Sequence, residues 1–152
     1  MGMGTSRIRI RVALSSDIVS IEALLHASDL PTAGVAQLLD NFLVAEEDRA
    51  LVGVAGLELS GKSALLRSVA VTPGWRAKGL GRQLVARILA EAKARRVSEL
   101  YLLTTTAEAF FHGLGFAAVE RETAPPQIRS TGEFRGLCPA SAVLMNKRVD
   151  AQ

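Results

Sequence analysis

The chain has 152 residues, of which 49% are hydrophobic and 22% are charged, and this balance predicts one globular domain with a buried core rather than a disordered chain. No apolar run approaches the ~18 residues that a membrane span needs, so a transmembrane protein is not expected. The net charge of +3 comes from arginines that are spread along the chain, which makes a nucleic-acid-binding protein the least favoured class.

Residues 1–6 contain no apolar segment of the kind that a secretory signal needs, so we expect them to form a flexible tail. The single cysteine, Cys138, cannot form an internal disulfide, and no Cys/His cluster has the spacing of a zinc site. These features predict a cytoplasmic protein that holds no metal and has no membrane partner.

The first half of the chain alternates between short apolar segments and polar turns. Ser15 or Ser16 is placed to cap a helix, and Thr32 is placed to cap a short second helix that reaches Leu39. Strands are predicted at residues 7–13, 42–46, 51–59 and 65–71.

The second half begins with a loop, Thr72–Lys78, and a long amphipathic helix from Gly79 to about Arg96. A short helix is predicted over Ala107–Leu114. The connection Glu122–Pro139 is rich in proline, arginine and threonine, and connections of that length in a compact domain are usually functional. Further strands are predicted at residues 100–104, 116–121 and 142–145.

The resulting order of elements, β-α-α-β-β-β-α-β-α-β-β, predicts the α+β class with α/β/α layers. We expect one mixed central sheet of about seven strands with flanking helices. We assign this sheet to a single domain over residues 7–149.

The sequence R-x-x-G-x-G begins at Arg76, where a predicted strand leads into the long helix. Gly79 and Gly81 allow a ligand to approach the backbone closely, and the free N–H groups at a helix start attract anions. Because Lys78 and Arg82 add positive charge, the segment favours a pyrophosphate. The alternative is a glycine-rich turn that serves packing alone.

Two common nucleotide motifs do not fit this segment. A Walker A loop needs a lysine after its second glycine, whereas Gly79 is followed by Leu80. A dinucleotide fingerprint needs a third small residue, whereas Leu84 stands at that position, and no β-α-β repeat surrounds it. The segment is therefore neither a Walker A loop nor a Rossmann fingerprint.

Two segments together resemble the GNAT N-acetyltransferases. V-A-V-T-P-G-W-R-A-K-G-L-G-R, which begins at Val69, is similar to the coenzyme A signature of that family. T-x-x-A-x-x-F-F-x-x-x-G-F, which begins at Thr104, is similar to a second signature that usually starts with asparagine and has F-Y as its aromatic pair. The resemblance covers nearly the whole chain and implies the GNAT fold and an acetyl-CoA-dependent N-acetyltransferase.

The resemblance also implies which residues hold acetyl-CoA, through the backbone of the strand for pantetheine and the following turn for the pyrophosphate. Thr104 stands where many members have an asparagine that contacts pantetheine. Phe111 stands where many have a tyrosine that protonates the leaving thiolate, so that role is absent here or falls to another group. The implied coenzyme-binding residues are Val69, Ala70, Val71, Arg76, Ala77, Lys78, Gly79, Leu80, Gly81, Arg82, Thr104 and Phe111.

An amine that attacks the acetyl thioester must first lose a proton, for which a modest base suffices. Glu58, on the strand before the coenzyme strand, is the first candidate for the catalytic base. Glu46 is the second candidate and His112 the third. The alternative for each of them is a solvated surface side chain.

Two branches of the family resemble this chain in more detail. The acetyltransferases of arsenic-resistance operons (ArsN type) share L-P-T-A-G-V, here Leu30–Val35, and the N-acetylglutamate synthase domain shares the pattern of the C-terminal half. Both branches imply a small amino acid with an acidic γ-group as the substrate.

The anionic ends of such a substrate need guanidinium and hydroxyl partners. The candidate substrate-binding residues are Thr32, Arg67, Ser68, Arg129 and Arg135. Because Arg67 and Ser68 are adjacent in a strand, they point to opposite faces unless a bulge intervenes. The alternative is that the arginines are solvated or pair with Glu120, Glu122 or Glu133.

The leading hypothesis is an enzyme that acetylates the α-amine of a toxic glutamate analogue, such as arsinothricin or phosphinothricin, and so confers arsenic or antibiotic resistance. One alternative is a biosynthetic glutamate N-acetyltransferase. Another is a non-catalytic acyl-CoA-binding sensor, which Phe111 in place of tyrosine would suit. Because members of the family often dimerise, a homodimer is one expected assembly.

Overall fold

The computed structural model describes residues 8–149, so the tail expected over residues 1–6 lies outside the described part. Seven strands and four α-helices occur within the described residues. The strands are β1 (Ile8–Val12), β2 (Phe42–Glu47), β3 (Ala50–Ser60), β4 (Ser63–Val71), β5 (Glu99–Thr104), β6 (Ala117–Val119) and β7 (Val143–Arg148). The helices are α1 (Ile18–Ala27), α2 (Leu80–Ala94), α3 (Glu108–Gly113) and α4 (Pro126–Arg129).

The strands form one mixed sheet in the order β1-β2-β3-β4-β5-β7-β6. β1 pairs with β2 and β2 pairs with β3 in antiparallel register. The parallel pairing of β4 with β5 joins Ser63–Leu65 to Glu99–Tyr101. β7 is antiparallel to β5 on one side and to β6 on the other. This mixed sheet with flanking helices confirms the predicted fold class.

The chain divides into two compact units, and the first takes in the chain up to Gly56 together with Ser68–Arg87. A Cβ at Gly53 would lie 2.9 Å from Cδ1 of Leu84 and 3.3 Å from Cδ2 of Leu80, so this glycine allows the start of α2 to lie directly on β3. The buried core of this unit consists of Ala13, Ile21, Leu24, Leu25, Val35, Phe42, Val44, Val54 and Ala70.

The second unit takes in Leu57–Arg67 together with the chain from Ile88. The partly buried Leu103, Val119 and Phe134 pack against its core. The buried core residues are Leu65, Tyr101, Ala124, Ile128 and Leu144.

The second helix predicted from Thr32 is wrong. Residues 33–38 form turns, and only a short 3-10 turn, Leu39–Asn41, follows them. Gly34 has a φ of 86°, which a continuous α-helix cannot include. The apolar residues that suggested a helix face still serve packing, because Val35 is fully buried.

Other predicted boundaries also differ from the structure. Ser15–Asp17 forms a 3-10 turn, so α1 begins only at Ile18. The predicted loop before α2 is a 3-10 turn over Pro73–Lys78, and β6 is shorter than the predicted strand. The connection Glu122–Pro139 contains α4 and a wider helical turn, Glu133–Leu137, because Pro125 and Pro126 favour a helix start. No helix within residues 8–149 is long and apolar enough to cross a membrane.

Candidate active site

The turn between β4 and α2 is held in place by its own side chains. Nε of Arg76 donates a hydrogen bond to the carbonyl of Val71 at 2.9 Å, which ties the Pro73–Lys78 turn to the end of β4. Nζ of Lys78 lies 5.2 Å from the centre of the Trp75 ring, a cation–π contact. Gly79 then reverses the backbone with a φ of 80°, and α2 begins at the next residue.

The start of α2 is open and electropositive. A Cβ at Gly79 would meet no heavy atom within 4 Å, so the space above this backbone is free of neighbouring protein atoms. The first turn of α2 contains no acidic residue, and Arg76, Lys78 and Arg82 are exposed around it. Since the first N–H groups of a helix have no partner within it, this end can bind an anion.

β4 is irregular just before the residues that the resemblance assigns to pantetheine. Ser68 has a φ of 60°, a left-handed conformation that side-chain-bearing residues rarely adopt in a strand. Arg67 and Ser68 are both buried, consistent with a local departure from simple strand alternation. Val69 is half-buried and Val71 is buried in the last part of the strand.

The second signature segment has a threonine that stabilises a turn and an aromatic core residue. Oγ1 of Thr104 accepts a hydrogen bond from the N–H of Ala107 at 3.0 Å, so Thr104 stabilises the turn that leads into α3 and keeps its O–H as a donor. Phe111 is buried edge-to-face between Phe110 and Phe116, with ring centres 5.0 and 5.8 Å away. Phe111 therefore supplies packing and no proton.

Glu58 and Arg67 lie together, and Glu133 completes the cluster. Nη1 of Arg67 donates to Oε1 of Glu58 at 3.4 Å, and Nε of Arg67 lies 3.4 Å from Oε2 of Glu133. The side chain of Arg67 is 2% exposed, that of Glu133 5% and that of Glu58 23%. Glu58 is thus the member of this cluster that reaches solvent.

Burial raises the pKa of Glu133 above its ordinary value, although Arg67 and the Cys138 thiol act in the opposite direction. Sγ of Cys138 lies 3.5 Å from Oε1 of Glu133 as a weak hydrogen-bond donor. Burial and the adjacent carboxylate raise the pKa of Cys138 to about 12. Cys138 is therefore a protonated thiol at neutral pH.

Glu46, the second candidate base, accepts hydrogen bonds from Nε and Nη2 of Arg11 at 3.0 and 2.8 Å. Asp17 binds the same guanidinium at 2.8 Å. Glu46 is therefore engaged in an ion pair rather than free in solvent. The third candidate, His112, is exposed on α3.

Arg129 and Arg135 line one surface groove of about 330 Å³ together with Pro126 and Ser130. Both arginines are exposed, and among the described residues neither makes an ion pair or a side-chain hydrogen bond. Oγ of Ser130 donates to the carbonyl of Gln127 at 2.9 Å. Thr32, the remaining candidate, is half-buried and its carbonyl accepts a hydrogen bond from the N–H of Val35.

Residues 39–118 match the family described as "Acetyltransferase (GNAT) domain", and this segment is more than half of the chain. The chain belongs to the GNAT acetyltransferase family. The matched segment contains the Pro73–Lys78 turn, the start of α2 and α3.

Relatives of this GNAT chain include amino-acid acetyltransferases. That of Aeromonas salmonicida is 33% identical over 89 residues, 57% of this chain and 20% of the relative. That of Edwardsiella ictaluri is 32% identical over 151 residues, 88% of this chain and 34% of the relative. N-acetylglutamate synthase from Neisseria gonorrhoeae, solved with coenzyme A and L-arginine, is 25% identical with a TM-score of 0.81, covering 95% of this chain and 34% of that one. The GNAT chain thus spans between 20% and 34% of the length of these three relatives.

Glu133 is the residue of the cluster whose place sequence reasoning did not find. The sequence indicates it only as one of three carboxylates that could pair with an arginine. Its neighbours in sequence are polar, aromatic and small, and no periodicity marks it as buried. Its burial becomes visible only once the Glu133–Leu137 turn is placed in the fold.

Proposed function

We propose that this GNAT chain is an acetyl-CoA-dependent N-acetyltransferase that acetylates the α-amine of a toxic glutamate analogue of the arsinothricin or phosphinothricin type. Acetylation would remove the positive charge of the amine and so abolish the mimicry of glutamate. We assign this activity, and with it resistance to the analogue, to the domain expected over residues 7–149.

The observation that carries the coenzyme part of the proposal is the open, electropositive start of α2. A diphosphate fits there because Gly79 leaves space, the helix end offers N–H donors, and three exposed cations surround it. When bound, acetyl-CoA supplies an acetyl group activated as a thioester. The parallel pairing of β4 with β5 covers Ser63–Leu65. It therefore does not use the backbone groups of Val69 and Val71, which the resemblance assigns to pantetheine.

The groove with Arg129 and Arg135 supports an acceptor that carries an oxyanion. Each guanidinium presents a planar fork of donors that suits a carboxylate, phosphinate or arsinate. Arg67 is a weaker candidate for this role, because two carboxylates already share its charge.

Glu58 is the proposed base, because its side chain is the partly exposed carboxylate of the Arg67 cluster. The pKa of an α-amine lies about one unit above neutral pH, so deprotonating it costs roughly 1.4 kcal/mol. A modest base such as a carboxylate, acting directly or through one water, is therefore sufficient. Since Phe111 has no proton to donate, we assign protonation of the leaving thiolate to water.

A biosynthetic glutamate N-acetyltransferase is the second candidate. The similarity to amino-acid acetyltransferases and to an N-acetylglutamate synthase favours it. A non-catalytic acyl-CoA-binding sensor is the third candidate, and the buried, apolar Phe111 favours it.

The test follows release of free thiol from acetyl-CoA with arsinothricin, phosphinothricin, glutamate and several polyamines as acceptors. We expect turnover with the two analogues and a clear preference for them over glutamate. Arg129→Ala and Arg135→Ala should each raise KM for the analogue about tenfold or more, because each removes a charged hydrogen bond worth about 1.5–3 kcal/mol. KM for acetyl-CoA should stay unchanged.

Arg87→Ala is the control for these substitutions, since Arg87 is also an exposed arginine but lies on α2. A strong preference for glutamate would favour the biosynthetic enzyme instead. Tight binding of acetyl-CoA with no thiol release for any acceptor would favour the sensor.

A further inference from the structure

One buried guanidinium serves two carboxylates in this chain. Arg67 contacts Glu58 on β3 and Glu133 on the Glu133–Leu137 turn, each at 3.4 Å. Charge-assisted hydrogen bonds of an undivided pair are shorter, about 2.7–2.9 Å. Because both carboxylates contact the same guanidinium, neither has it to itself.

This sharing has a chemical consequence for Glu58. A carboxylate that faces a guanidinium alone loses affinity for protons, since the nearby positive charge stabilises its ionised form. Such a group would accept a proton from an amine poorly. A second carboxylate on the same guanidinium offsets part of that positive charge.

We propose that Arg67 and Glu133 are positioning residues that hold Glu58 as the proton acceptor for the substrate amine. This inference rests on the proposed function and deepens it. Glu133 is almost fully buried and does not itself reach a substrate, whereas Glu58 is 23% exposed. Glu133 acts on Glu58 through Arg67, because the two carboxylates compete for the positive charge of the same guanidinium.

The other polar group at Glu133 is consistent with this arrangement. The Cys138 thiol donates to Oε1 of Glu133, while the ion pair with Arg67 uses Oε2. Nη1 of Arg121 donates to the carbonyl of Ala142 at 2.7 Å, and its positive charge acts to lower the pKa of the Cys138 thiol. Burial, together with Arg67, the Cys138 thiol and Glu58, sets the pKa of Glu133.

The proposed step balances within these groups and the two substrates. An N–H bond of the substrate ammonium breaks, and its proton passes to the carboxylate of Glu58. The freed nitrogen lone pair forms a C–N bond with the acetyl carbon, and the C–S bond breaks with its electron pair on sulfur. The acylated nitrogen, which still carries one proton too many, gives that proton to a water molecule, and the water passes a proton to the thiolate. The products are the N-acetyl amine and the free thiol, and protonated Glu58 releases its proton to solvent.

The pH profile of kcat/KM tests this inference. Glu133→Gln keeps the shape of the side chain and removes its charge, so the second negative charge that Arg67 contacts beside Glu58 would be lost. We expect the acidic limb of the profile to move down by about one pH unit and the plateau of kcat to fall severalfold. Glu133→Asp, which keeps the charge, should restore most of the wild-type profile, and Glu58→Gln should remove the limb.

Glu91→Gln is the matched control, because Glu91 also pairs with an arginine, Arg95 at 2.9 Å, but on the exposed surface of α2. Its profile should coincide with that of the wild type. An acidic limb that stays in place in Glu133→Gln, or one that survives in Glu58→Gln, would overturn the inference.

A titration of the wild-type chain without ligands does not depend on any variant folding. Carboxyl ¹³C shifts of the glutamates, followed from pH 4 to about 9, should include two groups that each respond to the other's titration, because Glu58 and Glu133 contact one guanidinium. Independent titration of every glutamate would contradict the inference, whatever the activity. Absence of acetyl transfer with every acceptor would instead contradict the proposed function.

Discussion

Asp17 joins the end of β1 to the start of α1 through a single carboxylate. Its two oxygens accept hydrogen bonds from Nη1 and Nη2 of Arg11, at 2.8 and 3.1 Å, and Oδ2 also accepts one from the N–H of Leu14 at 2.7 Å. The Arg11 guanidinium holds the pKa of Asp17 below its usual value. The ionised form of this residue therefore stabilises the folded chain.

Asp17→Asn should lower the free energy of unfolding by about 1 kcal/mol at pH 6, since it removes the charge from a half-buried pair. Because the pKa is lower in the folded state, this contribution is complete above the unfolded value of ~3.9 and is lost as the pH falls through the folded value. Urea unfolding of both chains between pH 2 and 7 measures the difference.

Asp40→Asn is the control, because Asp40 is exposed and makes no ion pair among the described residues. A difference between wild type and Asp17→Asn that persists unchanged at pH 2 would show that the charge of Asp17 is not its source.

Single residues mark the limit of what the sequence could predict for the site. The segment from Arg76 to Arg82 contains glycines and cations whose chemistry is evident from residue type alone, so the sequence predicts an anion site there. The left-handed backbone of Ser68 was not predictable, because serine carries no signal for positive φ within a strand. The pairing of Arg67 with Glu133 was not predictable either, since the two residues are far apart in sequence.

At the scale of one element, the Pro73–Lys78 turn depends on Arg76 for both its shape and its charge. Arg76→Ala removes the hydrogen bond to Val71 and one of three cations beside the start of α2. We expect Kd for acetyl-CoA to rise about tenfold, because a charged hydrogen bond contributes about 1.5–3 kcal/mol. Calorimetric titration measures this, with Arg87→Ala as the control.

The acceptor KM of Arg76→Ala should remain within twofold of the wild-type value. An unchanged Kd for acetyl-CoA would mean that the phosphates do not bind at this turn.

Elements with strong periodicity were predicted well, and those that depend on backbone exceptions were not. α2 follows the predicted apolar stripe, of which Leu84, Val85 and Ile88 are almost fully buried. The segment from Thr32 to Leu39 has similar apolar spacing, but the positive φ of Gly34 breaks any helix there. The spacing of apolar residues predicts which side chains are buried more reliably than it predicts how the backbone arranges them.

At the scale of the whole molecule, acetyl-CoA should stabilise the folded chain. At one hundred times its Kd, a ligand that binds only the folded state adds about 2.7 kcal/mol to the free energy of unfolding. For a chain of this length, 1 kcal/mol moves Tm by about 2–4 °C, so we expect Tm to rise by roughly 5–10 °C. Thermal unfolding followed by circular dichroism measures the shift.

Pantetheine, which lacks the diphosphate, should raise Tm by less than about 1 °C at the same concentration, because it has no diphosphate to bind at the start of α2. If pantetheine and acetyl-CoA raised Tm equally, the diphosphate would not be one of the main binding contacts.

β7 occupies an interior place in the sheet although it follows both of its neighbours in the chain. It pairs with β5 on one side and with β6 on the other. During synthesis on the ribosome, β5 and β6 therefore emerge with hydrogen-bonding edges that only a later segment can cover. Until β7 has left the exit tunnel, the nascent chain presents these open edges to other chains, and this interval is when it is most exposed to aggregation.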